Sequence, residues 1–169
     1  GGIALPDGMF PTDKWREVRL DIDPAVKPDV LASMTDMRRV FDNTHDAIYS
    51  NHNLEHLCAH EVPIALREFF RVLKSGGRAF VNVPDVEAAA RSIVDGVFDT
   101  PIYESPGDPI CPIDVLYGYR KFVSEGNRFM QHKTGFTAQS LQKFLLEAGF
   151  VNVDVGREAW GLHATAEKP

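Results

Sequence analysis

The sequence predicts an α/β fold, a doubly wound and mostly parallel sheet closed by an antiparallel C-terminal hairpin. Three observations predict it. Segments rich in β-formers alternate with segments of helical periodicity, the pattern of parallel strands joined by crossover helices. The last two strand candidates are joined only by residues 156–159, too few for a crossover, so they pair antiparallel. The 169 residues are one domain's worth of chain, long enough to bury a sizeable core.

Residues 17–22 alternate apolar and charged side chains until Pro24 ends the run, which predicts the first strand. Residues 29–32 predict a second, short strand. A third, 46–50, runs directly into the polar Asn51-His52-Asn53. Over 54–73, Leu57, Val62, Ile64, Leu66, Phe69, Phe70 and Leu73 suit one broad helical face. Pro63 marks a break or the first turn of a second helix, and Gly76-Gly77 is expected to stop that helix in a left-handed conformation. Residues 78–83 predict a strand closed by Pro84, and 86–94 a helix. Residues 99–135 carry prolines, glycines and three tyrosines with little periodicity, long for a connection and therefore expected to be an insertion or lid. Thr137 can cap a helix with Leu141, Phe144, Leu145 and Ala148 on its apolar face and Gly149 past its end. Residues 151–155 and 160–166 make the closing strands.

Composition removes several function classes. Hydrophobic residues make up 44% and charged residues 25%, values of an ordinary globular domain. No apolar run approaches the length of a membrane span and no signal peptide is visible, so a cytoplasmic protein without membrane association is expected. Eighteen basic against 24 acidic residues leave a net charge of −6, which repels phosphate backbones and argues against a nucleic-acid partner. Cys58 and Cys111 form no CxxC and are expected to be reduced thiols. The chain opens on Gly1-Gly2 with no initiator Met.

In an open parallel sheet, ligands sit beyond the carboxyl ends of the strands. The first predicted strand delivers Asp21 and Asp23 there, the second Ser33 and Met34, the third Ser50, Asn51 and His52, and the strand over 78–83 delivers Asn82 and Asp85. A carboxylate at such an end can accept from both hydroxyls of a ribose; capping of a turn is the other reading of Asp21 and Asp23.

Leu20-Asp21-Ile22-Asp23-Pro24, then Pro28-Asp29-Val30, then the stretch from Phe41 to Ser50, occur in order. Leu54-Glu55-His56, Leu66-Arg67-Glu68, the stretch from Arg71 to Gly77, and Val83-Pro84-Asp85 continue the series. This series resembles the successive landmarks of class I S-adenosylmethionine-dependent methyltransferases, closest to the small-molecule type with a Leu-Glu-His helix start. The resemblance spans residues 17–85 and implies a Rossmann-like sheet in one methyltransferase-like domain over 1–169. It implies S-adenosylmethionine as cofactor, with Asp21 on the ribose hydroxyls and Ser33 where the family often has an adenine-reading Asp. It also implies that the Met34 backbone N–H shares the adenine contact, and that Ser50, Asn51 and His52 lie beside the methionine part and the methyl. Gly1 and Gly2 correspond to the tail of the glycine-rich turn that admits the cofactor's carboxylate, and the first strand that precedes this turn in the family is not in the sequence.

The resemblance implies methyl transfer to a small or medium acceptor, with the 99–135 insertion as acceptor wall. Its candidate polar contacts are Tyr103, Tyr117, Tyr119, His132 and Lys133, and His132 is the candidate general base. A non-catalytic cofactor-binding module of the same fold is the alternative. Tyr117-x-x-x-Lys121 with Ser105 upstream matches a short-chain dehydrogenase pattern, but that pattern needs one regular helix and Gly118 interrupts it. His52, His56 and His60 recur every four residues, the spacing that aligns ligands on a helix, yet they cross a strand-to-helix junction without a matching carboxylate or Cys set. They are read as capping or surface histidines, and no metal site is assigned.

Overall fold

In the computed structural model, residues 5–105 and 108–169 are described. β1 (Leu20–Asp21) runs parallel to β2 (Val30–Leu31), with Leu20 opposite Val30 and Asp21 opposite Leu31. β1 is shorter than its alternating sequence predicts. The chain returns from β1 through one 3-10 turn, Pro24–Val26, capped by Asp23, whose carboxylate accepts from Ala25 N–H at 2.8 Å.

β3 (His45–Asn51) leads into a 3-10 turn, Leu54–His56, and then α1 (Val62–Val72). Pro63 occupies the first turn of α1, where its missing N–H costs nothing. Val62, Ala65, Leu66, Phe69 and Val72 are buried along α1, the stripe that a 3.6-residue period lays on one face. The helix ends before the glycines expected to stop it. Leu73 is already extended (ψ 141°), and β4 (Leu73–Pro84) begins there. Gly76 (φ +76°) and Gly77 instead lie where the β3–β4 register slips from His45–Leu73 to Ala47–Arg78. A Cβ on Gly77 would stand 2.8 Å from the Lys74 carbonyl oxygen, so the irregularity demands glycine.

Asp85 caps α2 (Val86–Val94), its carboxylate accepting from Glu87 N–H at 2.9 Å. The insertion follows as β5 (Tyr103–Ser105), β6 (Asp108–Ile110), α3 (Pro112–Tyr117) and α4 (Arg120–Ser124). Thr137 then caps α5 (Ala138–Glu147), as its position predicts. β7 (Val151–Glu158) and β8 (Gly161–Glu167) form the closing antiparallel hairpin.

The main sheet has the order β3-β4-β8-β7. Only β3–β4 is parallel; β8 joins β4 antiparallel, and the β1–β2 pair stands apart as a second sheet. The expected doubly wound, mostly parallel sheet is therefore replaced, among the described residues, by a mixed α/β sheet. Alternation of strands and helices does specify crossovers, but here only β3–α1–β4 makes one within the main sheet. On one face, Ala79, Val81 and Val83 of β4 and Leu162, Ala164 and Ala166 of β8 pack with α1 and with Leu141 and Leu145 of α5. On β3 and β4, Tyr49 and Phe80 are met edge-on by Phe10, which is 3% exposed and also touches Trp15. Among the described residues, no helix is long and apolar enough to cross a membrane.

Two polar clusters hold the irregular parts. Arg71 donates to the carbonyls of Met37 (2.8 Å) and Val40 (2.9 Å), to both oxygens of Glu68, and to Asp42. It thus ties residues 37–42 to α1 with a planar fork that an ammonium cannot reproduce. In the insertion, Asp114 is 4% exposed and accepts from Cys111 N–H (3.0 Å) and Arg120 Nε (2.7 Å). Burial works to raise its carboxyl, but Arg120 and the Cys111 N–H outweigh it and hold the group below the ordinary carboxylate range.

Arg71→Lys is expected to lower unfolding stability by about 2 kcal/mol, through carbonyls left without donors, measured by denaturant titration; a change near zero would show that residues 37–42 are held by their apolar contacts alone. Asp114 contributes stability above its unfolded value near 3.9, which is lost as pH falls through its depressed folded value. Asp114→Asn should therefore unfold at lower temperature than the parent at pH 7, and the gap should narrow below about pH 4. A gap that is constant with pH would remove the ionised carboxylate as its source.

Candidate active site

The strand ends place the predicted residues as follows. Asp21 closes β1, and its Oδ1 accepts from Asp23 N–H at 2.9 Å. Burial works to raise the Asp21 carboxyl, yet backbone N–H donors at Asp23 and Ile22 help to hold it below the ordinary range, so it is an ionised acceptor at neutral pH. Ser33 shares its hydroxyl with Thr35 Oγ1 (2.7 Å) and accepts from Thr35 N–H. The Met34 side chain packs against the main core. Gly1 and Gly2 lie outside the described residues.

At the end of β3, Ser50 is buried, whereas Asn51 accepts from Asn82 Nδ2 of β4 at 2.9 Å. The Asn82 amide oxygen in turn lies 3.0 Å from His163 Nδ1 of β8, so a row of polar groups crosses three strands. His52 adopts a left-handed φ of +53°, donates its backbone N–H to the Asn82 carbonyl at 2.9 Å, and turns its ring to Glu55 (3.2 Å). A non-glycine residue held at positive φ marks a backbone constrained by its surroundings.

The turn after β3 then meets the insertion. The Glu55 carbonyl accepts N–H groups from Lys133 (2.8 Å) and Thr134 (3.2 Å). The Glu55 side chain is 1% exposed; Oε1 faces His52, and Oε2 has no hydrogen-bond partner among the described residues. The His56 and His132 rings stack edge-to-face with centroids 5.1 Å apart. His56 Nδ1 lies 3.0 Å from the Gln131 carbonyl and His132 Nδ1 lies 2.9 Å from the Val115 carbonyl. A carbonyl only accepts, so each Nδ1 carries a hydrogen and any lone pair a ring offers is on Nε2. Burial pushes the His132 imidazole down, against the opposing pull of Glu55, which keeps the ring neutral near pH 7.

The structure separates the predicted acceptor-wall residues into three kinds. Tyr117, His132 and Lys133 line one open cleft of about 390 Å³ with Gly118, Arg120 and Gln131. Tyr103 is exposed at 41% of its surface; desolvation of its phenol raises it, and the charges of Asp114 and Glu55 add to that rise. Tyr119 is engaged elsewhere: it packs edge-on to Phe122, and burial and its bond to Asp108 push its phenol up to about 12. Gly118 (φ +91°) ends α3, so Tyr117 and Lys121 sit on different helices, and Lys121 pairs with Asp108 at 2.7 Å. The single helix that a dehydrogenase pair requires is not formed.

The histidine run divides likewise. His60 is exposed and outside the cluster, while His56 joins Glu55 and a histidine distant in sequence. In the sequence, Glu55 stands out only as part of the Leu-Glu-His signature, and His56 through that signature and the four-residue histidine run. Phe10 and His163 carry no comparable signal.

A family model described as a methyltransferase domain matches residues 13–81. No curated protein matches the chain significantly. Among solved structures, a Bordetella parapertussis protein described as a possible exported protein aligns with a TM-score of 0.55 and 18% identity over 89% of this chain and 52% of its own. A SAM-dependent methyltransferase from Archaeoglobus fulgidus aligns with a TM-score of 0.55 and 12% identity, over 88% of this chain and 74% of its own. The Burkholderia thailandensis 1,6-didemethyltoxoflavin-N1-methyltransferase, solved with 1,6-didemethyltoxoflavin and S-adenosylhomocysteine, aligns at 0.52 and 16% identity over 88% and 59%. The chain thus spans about half the length of the first of these, and the likeness to all three is one of fold.

Proposed function

A methyltransferase-domain model matches residues 13–81, and from that match we propose that the chain is a class I, S-adenosylmethionine-dependent methyltransferase that transfers a methyl group to a nucleophile on a small or medium acceptor. The reading is supported best by the continuity of the end of β3. Between Asn51 and His56 the chain passes from the positions assigned to the methyl donor to the pair that meets His132 of the insertion.

The residues present fit the donor. Asp21 offers an ionised carboxylate at a strand end, the group a ribose diol requires. The Ser33 hydroxyl and the Met34 main chain are assigned to the adenine; the Met34 side chain belongs to the core. Ser50, Asn51 and His52 are assigned to the methionine end, where the Asn51–Asn82 bond fixes the Asn51 amide. Gly1 and Gly2 keep the assignment to the donor carboxylate that the resemblance gives them. When bound, S-adenosylmethionine supplies an electrophilic methyl on a sulfonium.

The chain's own residues then have to orient the acceptor, exclude water and remove a proton. His132 suits the last of these roles, because Val115 anchors Nδ1–H and burial keeps Nε2 unprotonated. That nitrogen can take the proton of the acceptor hydroxyl or amine. Tyr117 and Lys133 line the cleft beside it, and Tyr103 stands within the field of Glu55. Tyr119, bonded to Asp108, supports the wall rather than facing the acceptor.

Calorimetric titration with S-adenosylhomocysteine should show saturable one-to-one binding, weakened about tenfold or more by Asp21→Ala, the scale of a hydrogen bond to a charged group. No binding to the parent chain would overturn the proposal, and an unchanged affinity would remove Asp21 from the site. His132→Ala should reduce formation of methylated product by about 100-fold, the scale of general-base catalysis, read by mass spectrometry over a panel of small hydroxyl and amine acceptors. It should leave S-adenosylhomocysteine affinity unchanged. Binding without product from the parent on any acceptor would favour a cofactor-binding module without turnover.

A further inference from the structure

Glu55 presents a problem that the proposed methyl transfer does not solve. Its carboxylate is 1% exposed, and Oε2 has no hydrogen-bond partner among the described residues. An unsatisfied buried polar atom costs about 1–3 kcal/mol, and more when charged, so such a group in a folded chain calls for a ligand. Two imidazoles stand beside it. One ligand atom each from Glu55, His56 and His132 lies within 4.8 Å of the other two.

Nδ1 of His56 is fixed by the Gln131 carbonyl and Nδ1 of His132 by the Val115 carbonyl, the backbone anchoring that metal-ligating histidines use to fix tautomer and orientation. The Nε2 lone pairs remain. We infer that Glu55 Oε2, His56 Nε2 and His132 Nε2 bind a divalent first-row transition ion such as zinc. Tetrahedral bonds of about 2.0–2.2 Å set ligand atoms about 3.3–3.6 Å apart, so the three groups must close by up to about 1.5 Å from their 4.8 Å limit, a shift within the reach of side-chain rotation. Two imidazoles and a carboxylate are a set that zinc accepts while keeping a fourth position open.

The inference deepens the proposed function only in placing the ion where the acceptor is expected. An ion there occupies the His132 lone pair otherwise offered to the acceptor's proton. The open position would instead take an acceptor oxygen directly, lowering its pKa so that its proton passes to solvent. The two modes are exclusive at any instant, and binding decides between them.

The test titrates the full chain, first stripped with a chelator, with Zn²⁺ by calorimetry and with Co²⁺ by visible absorption, with no methyl donor present. One-to-one binding and a Co²⁺ d–d band are expected, with affinity falling at least about tenfold in Glu55→Gln, His56→Ala and His132→Ala, since loss of a ligand exceeds the 10-fold to 100-fold effect of losing its outer-shell support. His60→Ala, at an exposed position outside the cluster, should bind like the parent. Circular dichroism checks each variant, and His56→Ala, whose side chain is only half-buried, carries the test if a core variant unfolds. No saturable binding up to about 1 mM ion, a concentration that defines weak association, would overturn the inference, as would affinity unchanged in His56→Ala or lost in His60→Ala. Titration of S-adenosylhomocysteine in EDTA reads the donor site separately, so either reading can fail alone.

Discussion

The arrangement turns on one carbonyl. Glu55 O accepts both Lys133 N–H and Thr134 N–H, and this shared acceptor is what joins the insertion to the turn after β3. It works alongside the His56–Gln131 bond, which spans 75 residues of sequence and joins the same two segments. With it, His132 is carried to within ring contact of His56, and the cleft lined by Tyr117 and Lys133 opens beside them. The insertion is held at its other side by apolar contacts, where Ile110 and Val115 pack with Ala89 of α2. Thus one hydrogen-bonded junction and one small core orient the whole wall.

Buried polar side chains mark where this fold carries more than packing. Asp85 caps α2 and also faces Arg157 at 3.5 Å; Asp114 binds Arg120 and the Cys111 N–H. Both are charges compensated in place, and their positions explain local structure. Glu55 differs because only one of its two carboxylate oxygens is matched. The contrast separates structural carboxylates from one whose environment is incomplete without a further group.

Local signals in the sequence are the reliable ones. The helix over Val86–Val94 and the Thr137 cap are legible because an N-cap and a periodic apolar face act within a few residues. The antiparallel hairpin is legible because connection length limits topology. Gly76 misleads because two glycines after a helix read as a stop, whereas Leu73 has already turned extended and the glycines serve an irregular strand. The sheet order is hidden for a different reason: alternation of elements does not say which strands pair, and here β8 rather than another parallel strand lies beside β4. The site is half legible. Asp21, Asn51 and His132 stand out by chemistry or motif, but Glu55 with His56 and His132 is a long-range encounter that no spacing encodes.

The central position of β4 has a kinetic meaning. Asn82 bonds to Asn51, 31 residues earlier, on one side and to His163, 81 residues later, on the other. The β3–α1–β4 crossover can close early because its loop is short, whereas the second edge of β4 must wait for the hairpin that carries β8. During synthesis, that apolar, unpaired edge stays uncovered while the insertion and α5 emerge. The interval is the period in which the nascent chain is most open to strand-to-strand association with its neighbours.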